Sequence, residues 1–146
     1  MRQELDTVHV IARQTVPLTV TVLYTTAEDT VCALKRAAEL AHNLGSSIRL
    51  LVMRVVPFPL PLNAPPVPVQ FMERQAGMLA REAGVDTDVH IIDCRDREEV
   101  LMGLLPSNSV VVLGDTPHWL PGKISRLARL LRRQGHEVVL IVRNRE

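Results

Sequence analysis

Five runs of strand-forming residues alternate with helical segments along the chain, and this alternation constrains the fold more than any other feature. Three of these runs are nearly continuous in apolar residues, namely residues 48–56, residues 109–114 and the stretch Glu137–Val142. Such continuity is typical of strands covered on both faces. Connections that contain a helix force parallel pairing through right-handed crossovers. The alternation therefore predicts an α/β fold: a doubly wound, five-stranded parallel sheet with helices on both faces.

The strands differ in their apolar content, and this difference predicts their order. Residues 87–93 alternate polar and apolar side chains, as an edge strand does, whereas the more apolar runs belong in the centre of the sheet. The pattern favours the order 3-2-1-4-5, in which the first strand lies beside the fourth.

Local signals mark where the helices begin and end. Thr26, followed three residues later by Asp29, predicts the start of the first helix, and Gly45 lies where a left-handed cap would end it. Gly84 marks the end of the second helix in the same way. Asp96 begins a capping-box pattern before the third helix, and the last helix is predicted to begin near residue 123.

Two segments lie outside the pattern, so the domain itself is assigned to residues 18–146. Residues 1–17 contain a short apolar stretch, TVHVIA, which we expect to form an arm or an extra strand. Residues 57–68 form an insertion with six prolines, which predicts an extended path over the surface. Its apolar side chains are expected to cover the domain or a neighbouring subunit; they are Phe58, Leu60, Leu62, Val67 and Val69.

The composition excludes several classes of protein. A formal net charge of +1 over 146 residues argues against bulk binding to nucleic acid or to a membrane surface. No apolar run approaches the ~20 residues of a membrane span, and the N-terminal stretch contains acids and no apolar h-region of the kind a secretory signal has. Two cysteines, Cys32 and Cys94, are too few for a disulfide framework, and no metal-ligand spacing accompanies them. We therefore expect a cytoplasmic protein without a metal.

Two halves of the chain resemble a known family. Residues 20–56, VTVLYTTAEDTVCALKRAAELAHNLGSSIRLLVMRVV, resemble the first half of the universal stress protein domain, and residues 110–117 and 136–142, VVVLGDTP and HEVVLIV, resemble its second half. The resemblance covers roughly residues 18–143. It implies a fold of the adenine-nucleotide alpha hydrolase type, a homodimer, and a role in stress response or in regulating another protein such as a transporter or a kinase.

The family's nucleotide-binding motif is largely absent. In nucleotide-binding members, G-x2-G-x9-G-[ST] follows the fourth strand; here Gly114 matches the first glycine, but the later positions hold Pro117, Leu127 and Ala128. Thr25 stands where the family tends to have an aspartate. A glycine loop binds phosphate through backbone N–H groups, which proline lacks. We therefore expect no cofactor, and ATP or AMP is disfavoured.

A ligand cleft of a different kind is still an open alternative. In such sheets ligands bind at the carboxyl ends of the strands, and His118 and Trp119 lie there in the sequence, either lining a cleft or filling it. An anion could bind at the start of the last helix. The candidate ligand-binding residues are Thr25, Thr26, Val55, Gly114, Asp115, Thr116, Lys123 and Ser125.

Other chemistry has little support. Asp93 and Asp96 follow the third strand, as a phosphorylated aspartate does in receiver domains, but the acids expected after the first strand are missing. No catalytic triad or nucleophile elbow is present. Arg126, Arg129 and Arg133 share one face of the last helix, with Arg132 beside them; this face is either simply solvated or meets an anionic partner.

The leading hypothesis is a non-enzymatic, cytoplasmic regulatory module of the universal stress protein type, with a possible protein partner, no nucleic acid and no membrane insertion. The alternative is a nucleotide- or small-molecule-binding protein, or an enzyme, that uses a non-standard cleft between strands 1 and 4. The last strand is expected to be an uncovered apolar edge, and two copies pairing there would give the homodimer. TVHVIA is a competing cover for this edge. The expected dimer residues are Val138, Val139, Leu140, Ile141 and Val142.

Overall fold

The computed structural model describes residues 19–58, 61–62, 68–106, 109–116 and 122–143. Five strands alternate with four helices along these residues, as the apolar pattern predicts. The strands are β1 (Thr19–Leu23), β2 (Ser47–Val55), β3 (Asp88–Cys94), β4 (Val110–Asp115) and β5 (Glu137–Val142). The helices are α1 (Ala27–Leu44), α2 (Val69–Ala83), α3 (Arg97–Leu104) and α4 (Lys123–Arg133).

All neighbouring strands pair in parallel, and their order is β3-β2-β1-β4-β5. This confirms the predicted doubly wound sheet and its order. β1 is central and almost fully buried, whereas β3 is half-exposed along most of its length. Successive strands are added on one side of β1 up to β3 and then on its other side from β4 onwards, so the carboxyl ends of β1 and β4 form the switch point of the sheet.

Two apolar layers cover the sheet. On one face α1 and α2 bury a cluster that includes Val22, Leu34 and Leu50; on the other face α3 and α4 bury Leu51 and Leu113 with their own leucines. Successive residues of a strand point to opposite faces, and for this reason Leu50 and Leu51 belong to different layers. A cavity opens where α3 and α4 begin.

The predicted helix boundaries are confirmed by their hydrogen bonds. The Thr26 hydroxyl accepts from the Asp29 N–H at 3.2 Å, and Asp96 accepts from the N–H groups of Glu98 and Glu99. Gly45 and Gly84 adopt the left-handed conformation, with φ of 64° and 71°. These residues end α1 and α2 because a side chain would be strained in that conformation.

The insertion is described at only a few positions. Phe58, which we expected to cover the domain or a neighbouring subunit, is 81% exposed in the single chain, and the Arg95 guanidinium lies over its ring at 4.0 Å from the centroid. Leu62 is 43% exposed. Residues 1–18 lie outside the described part of the chain, as do Leu60 and Val67, so the arm and the path of the insertion are still predictions. No helix in the described ranges combines the length and the apolar content needed to cross a bilayer.

Candidate functional site

Side chains at the switch point of the sheet bond to one another. Thr25 follows β1, and its hydroxyl donates to the Gly114 carbonyl in β4 at 3.0 Å. The Thr25 N–H in turn donates to the Thr30 hydroxyl in α1 at 3.1 Å. This polar bridge ties the loop after β1 to both neighbouring elements. The Thr25 groups predicted to bind a ligand are thus already bonded within the chain.

Gly114 is required by packing at this junction. A Cβ atom placed on Gly114 would lie 2.1 Å from the carbonyl oxygen of Asp29 and 2.7 Å from its carbonyl carbon. The first turn of α1 therefore approaches β4 so closely that only glycine fits, which is one of the reasons for glycine in a strand. The glycine that matches the family motif has a structural role here that needs no ligand.

The carboxylate of Asp29 lies at the centre of the junction. It is 2% exposed, and its Oδ2 accepts from the hydroxyl of Thr26 at 2.9 Å and from that of Thr116 at 2.7 Å. Thr116 immediately follows β4, at the start of the loop where the family motif binds phosphate. The hydroxyl that was predicted to contact a ligand thus donates to a buried carboxylate of the same chain.

Arg143 provides the positive charge beside this carboxylate. Its Nε lies 3.1 Å from Asp29 Oδ1, and its guanidinium also contacts the carboxylate of Glu28. Within the described residues neither Nε nor Oδ1 has an aligned hydrogen bond, so the contact is an ion pair without that geometry. The Arg143 N–H donates to the Asp115 carbonyl at 3.0 Å, which holds the arginine at the end of β5.

Asp115 completes the junction. It is 7% exposed, and its Oδ1 accepts from the N–H of Thr116 at 2.9 Å. Three carboxylates, those of Glu28, Asp29 and Asp115, thus belong to residues at this junction. Phosphate oxygens brought there would meet like charges as well as the dipoles of bonded hydroxyls.

A separate cavity of about 450 Å³ opens on the α3 and α4 side of the sheet. Val55, which is 49% exposed, forms part of its wall. The side chains around the cavity are mostly charged, with four cations and two acids. Two of these side chains are already bonded within the chain: Arg95 donates to the Val56 carbonyl at 2.8 Å, and Asp96 caps α3. The charged residues lining the cavity are Arg95, Asp96, Arg97, Glu98, Lys123 and Arg126.

The predicted ligand-binding residues therefore divide into two groups. Thr25, Thr26, Gly114, Asp115 and Thr116 meet at the junction of β1 and β4. Val55 and Lys123 line the cavity, and Ser125 is half-buried in the same turn but is not among the described residues that line it.

Several residues of the site were missed by sequence reasoning, and others cannot be placed. Asp29 was identified only as a helix-start residue, and nothing in the sequence pointed to Arg143 or to the contact between Phe58 and Arg95. Pro117, His118 and Trp119, with the rest of the loop up to residue 121, lie outside the described residues. Their proximity to the cleft is still a prediction.

The acids and the thiol after β3 have structural partners. Asp93 forms two hydrogen bonds with Arg54, at 2.7 Å and 3.2 Å, which tie the end of β3 to β2. Burial raises the pKa of the Cys94 thiol, although the nearby Arg97 partly opposes this. A buried thiol with a raised pKa is a poor nucleophile. Among the described residues, no group of three or more His, Cys, Asp or Glu side chains could hold a metal.

Comparisons with known proteins give a match in structure alone. No protein-family model matches the chain, and no curated protein matches it in sequence. A universal stress protein from Archaeoglobus fulgidus in complex with dAMP superposes with a TM-score of 0.57 at 12% identity, covering 86% of this chain and 97% of the other. A universal stress protein in complex with cAMP superposes with a TM-score of 0.55 at 17% identity, covering 85% of this chain and 96% of the other.

A third solved structure is a protein of the universal stress protein family from Burkholderia pseudomallei. It superposes with a TM-score of 0.54 at 20% identity, covering 84% of this chain and 94% of the other. The match extends over nearly the whole of each solved chain. The chain therefore has the fold of the universal stress proteins.

Proposed function

We propose that the protein is a non-enzymatic regulatory binding module that does not hold ATP in the way the family motif provides. The observation that carries this proposal is the buried carboxylate of Asp29 at the switch point, bonded to Thr26 and Thr116 and paired with Arg143. Polar groups that would otherwise be available to a nucleotide are used within the chain. Adding a triphosphate there would require breaking these bonds and desolvating like charges.

Calorimetric titration with ATP, ADP and AMP tests the proposal. We expect no heat of binding at micromolar concentrations of ATP. A micromolar dissociation constant for ATP that rises when Thr116 is replaced by valine would overturn the proposal, because it would place the nucleotide at the junction. Thr87→Val, on the loop before β3, is the matched control, since the Thr87 hydroxyl donates to the Val85 carbonyl two residues away and not to a residue of the junction.

A second candidate function is the binding of a small anionic ligand, such as a nucleoside monophosphate, in the cavity beside α3 and α4. It is supported by the cations Arg97, Lys123 and Arg126 around the half-exposed Val55. Two proteins of the same fold have been solved with cAMP and with dAMP. A ligand at one hundred times its dissociation constant would stabilise the protein by about 2.7 kcal/mol.

Thermal unfolding with each nucleotide distinguishes the two functions. If the cavity binds a monophosphate, AMP or cAMP raises the unfolding temperature of the parent protein, and Lys123→Gln reduces that rise. Lys35→Gln on α1 is the matched control, because Lys35 is also exposed but lies on the other face of the sheet. The absence of any rise with millimolar AMP or cAMP would eliminate this second function.

We also propose that the protein acts as a homodimer joined through β5. In the described sheet β5 pairs with β4 on one side only, and Val142 is 51% exposed. An apolar edge of this kind is a template for an identical strand running antiparallel across a two-fold axis. Residues 1–17 are the competing cover for the same edge.

Sedimentation at micromolar concentration tests the dimer. We expect the parent protein to sediment as a dimer, and Val142→Lys to shift it towards monomer by placing a charge on the edge. Leu140→Pro should give monomer or aggregate, because proline cannot donate to a ladder. A folded monomer in the parent protein would contradict the proposal.

A further inference from the structure

Four cations form one exposed face of α4, and we call Lys123, Arg126, Arg129 and Arg133 the α4 basic face. The three arginines follow the spacing i, i+3, i+7, which aligns them along the helix. The opposite side of the helix is buried through Leu127, Ala128 and Leu131. Burial of that side fixes the rotation of the helix, so the basic face points to solvent.

The α4 basic face forms no ion pair within the described part of the chain. Other arginines are paired there: Arg36 with Glu39, Arg54 with Asp93, and Arg143 with Glu28 and Asp29. By contrast, no side chain of the basic face forms an ion pair or a hydrogen bond with another described residue, although Asp96 and Glu98 line the same cavity as Lys123 and Arg126. The helix α4 itself contains no acid.

Part of this face opposes the stability of its own helix, although Arg133 in the last turn interacts favourably with the helix dipole. Like charges three or four residues apart destabilise a helix, and Arg126 with Arg129, and Arg129 with Arg133, are two such pairs. A surface chosen for folding alone would place a glutamate at one of these positions. Features that oppose local stability are expected at functional surfaces.

An exposed aromatic ring lies near one end of the basic face. Lys123 and Arg126 line the same cavity as Arg95, and the ring of Phe58 lies 4.0 Å from the Arg95 guanidinium while 81% of the residue is exposed. Aromatic and arginine side chains are enriched in protein interfaces and among the residues that dominate their affinity. The surface thus combines charge with an apolar contact.

We propose that the α4 basic face, together with Phe58, is the docking surface for an acidic segment of a partner protein. Arg126 to Arg133 spans only about 10 Å along the helix, so the surface matches a few separate carboxylates, each able to accept two hydrogen bonds from a guanidinium. A continuous phosphate backbone fits less well, because Asp96 and Glu98 line the adjoining cavity and the chain carries a net charge of only +1. The inference rests on the proposed role as a binding module and names its partner surface.

Fluorescence anisotropy with a labelled peptide of alternating glutamate and phenylalanine tests this docking surface. A peptide of about ten residues is longer than the face when extended. We expect binding that weakens with salt and becomes about tenfold weaker when Arg126, Arg129 and Arg133 are all replaced by glutamine. The matched control replaces Arg36, Arg74 and Arg81 with glutamine, which removes the same amount of charge from α1 and α2. We expect the affinity of this control variant for the peptide to stay within about twofold of the parent protein.

Three results would overturn the inference: no binding of the peptide, an equal loss in both triple variants, or tighter binding of single-stranded oligothymidine than of the peptide. Phe58→Ala should also lower the affinity for the peptide, because a purely electrostatic attraction would not depend on the ring. An unchanged affinity would show that Phe58 is not part of the docking surface. The ATP titration is independent of these results. A peptide that fails to bind while ATP also fails to bind overturns the docking surface and leaves the absence of ATP binding standing.

Discussion

Replacing Gly114 with alanine tests the close approach of β4 to α1. The added Cβ would lie 2.1 Å from the Asp29 carbonyl oxygen, whereas real Cβ atoms essentially never come within 3.0 Å of such a neighbour. The obstacle is backbone in the first turn of a helix, so it cannot rotate away as a side chain would. Relief requires strand and helix to separate by about 1 Å, and overpacking of this kind costs about 3 kcal/mol.

Urea unfolding followed by circular dichroism measures this loss. With a slope of about 2 kcal/mol per molar urea, the midpoint of the Gly114→Ala variant should fall by about 1.5 M while the slope stays constant. Gly77→Ala is the matched control, because Gly77 lies inside α2 and no heavy atom would come within 4 Å of its Cβ. We expect that control to gain about 0.5–1 kcal/mol through the higher helix propensity of alanine.

A Gly114→Ala variant within about 0.5 kcal/mol of the parent would refute the packing argument. It would mean that β4 and α1 do not approach this closely, and the glycine would then need another explanation, such as contact with a ligand. Opposite signs for the same chemical change at Gly114 and Gly77 are therefore the result that supports the structure.

Three further predictions concern buried polar groups. Asp29→Ala should lower the free energy of unfolding by about 2–3 kcal/mol, measured in urea, because Arg143 loses its counter-charge and the hydroxyl of Thr116 loses its acceptor. A neutral outcome would show that the carboxylate is not held as described. His136→Ala should lower the free energy of unfolding by about 1–3 kcal/mol, because His136 Nδ1 accepts a hydrogen bond from the buried Ser109 N–H at 3.1 Å. His90→Ala on the exposed face of β3 should have little effect in the same assay. Burial raises the pKa of Cys94 and lowers its thiolate fraction at a given pH. At pH 8 Cys94 should therefore be alkylated more slowly than the half-exposed Cys32 until urea unfolds the chain. Peptide mass mapping distinguishes the two thiols, and equal alkylation rates in the native protein would contradict the burial of Cys94.

Features that depend on neighbouring residues could be predicted from the sequence. The caps at Thr26 and Asp96 and the stops at Gly45 and Gly84 involve residues at most a few positions apart, so their patterns are visible in the sequence. The sheet order followed from the apolar content of the strands. These signals were sufficient for the fold because each one is local or periodic.

The candidate site depends on contacts between distant residues, and these contacts left no local pattern. The carboxylate of Asp29 meets a hydroxyl 87 positions away at Thr116, which no spacing rule reveals. The sequence predicts a single cleft at the carboxyl ends of the strands, with both Val55 and Thr25 in it. However, β1 ends at Leu23, which pairs with Leu51, so Val55 lies four residues further along β2, about 13 Å beyond the end of β1.

The position of Arg143 has a consequence for the order in which the chain matures during synthesis. Asp29 leaves the ribosome early, but its counter-charge follows only after residues 30–143 have been made, about 6–23 s later at usual rates of translation. Until then, docking of β4 onto α1 would bury a carboxylate without its cation, which is strongly unfavourable. A nascent chain is therefore expected to keep the start of α1 hydrated while the rest of the central sheet assembles, and to close the junction only when the edge strand arrives.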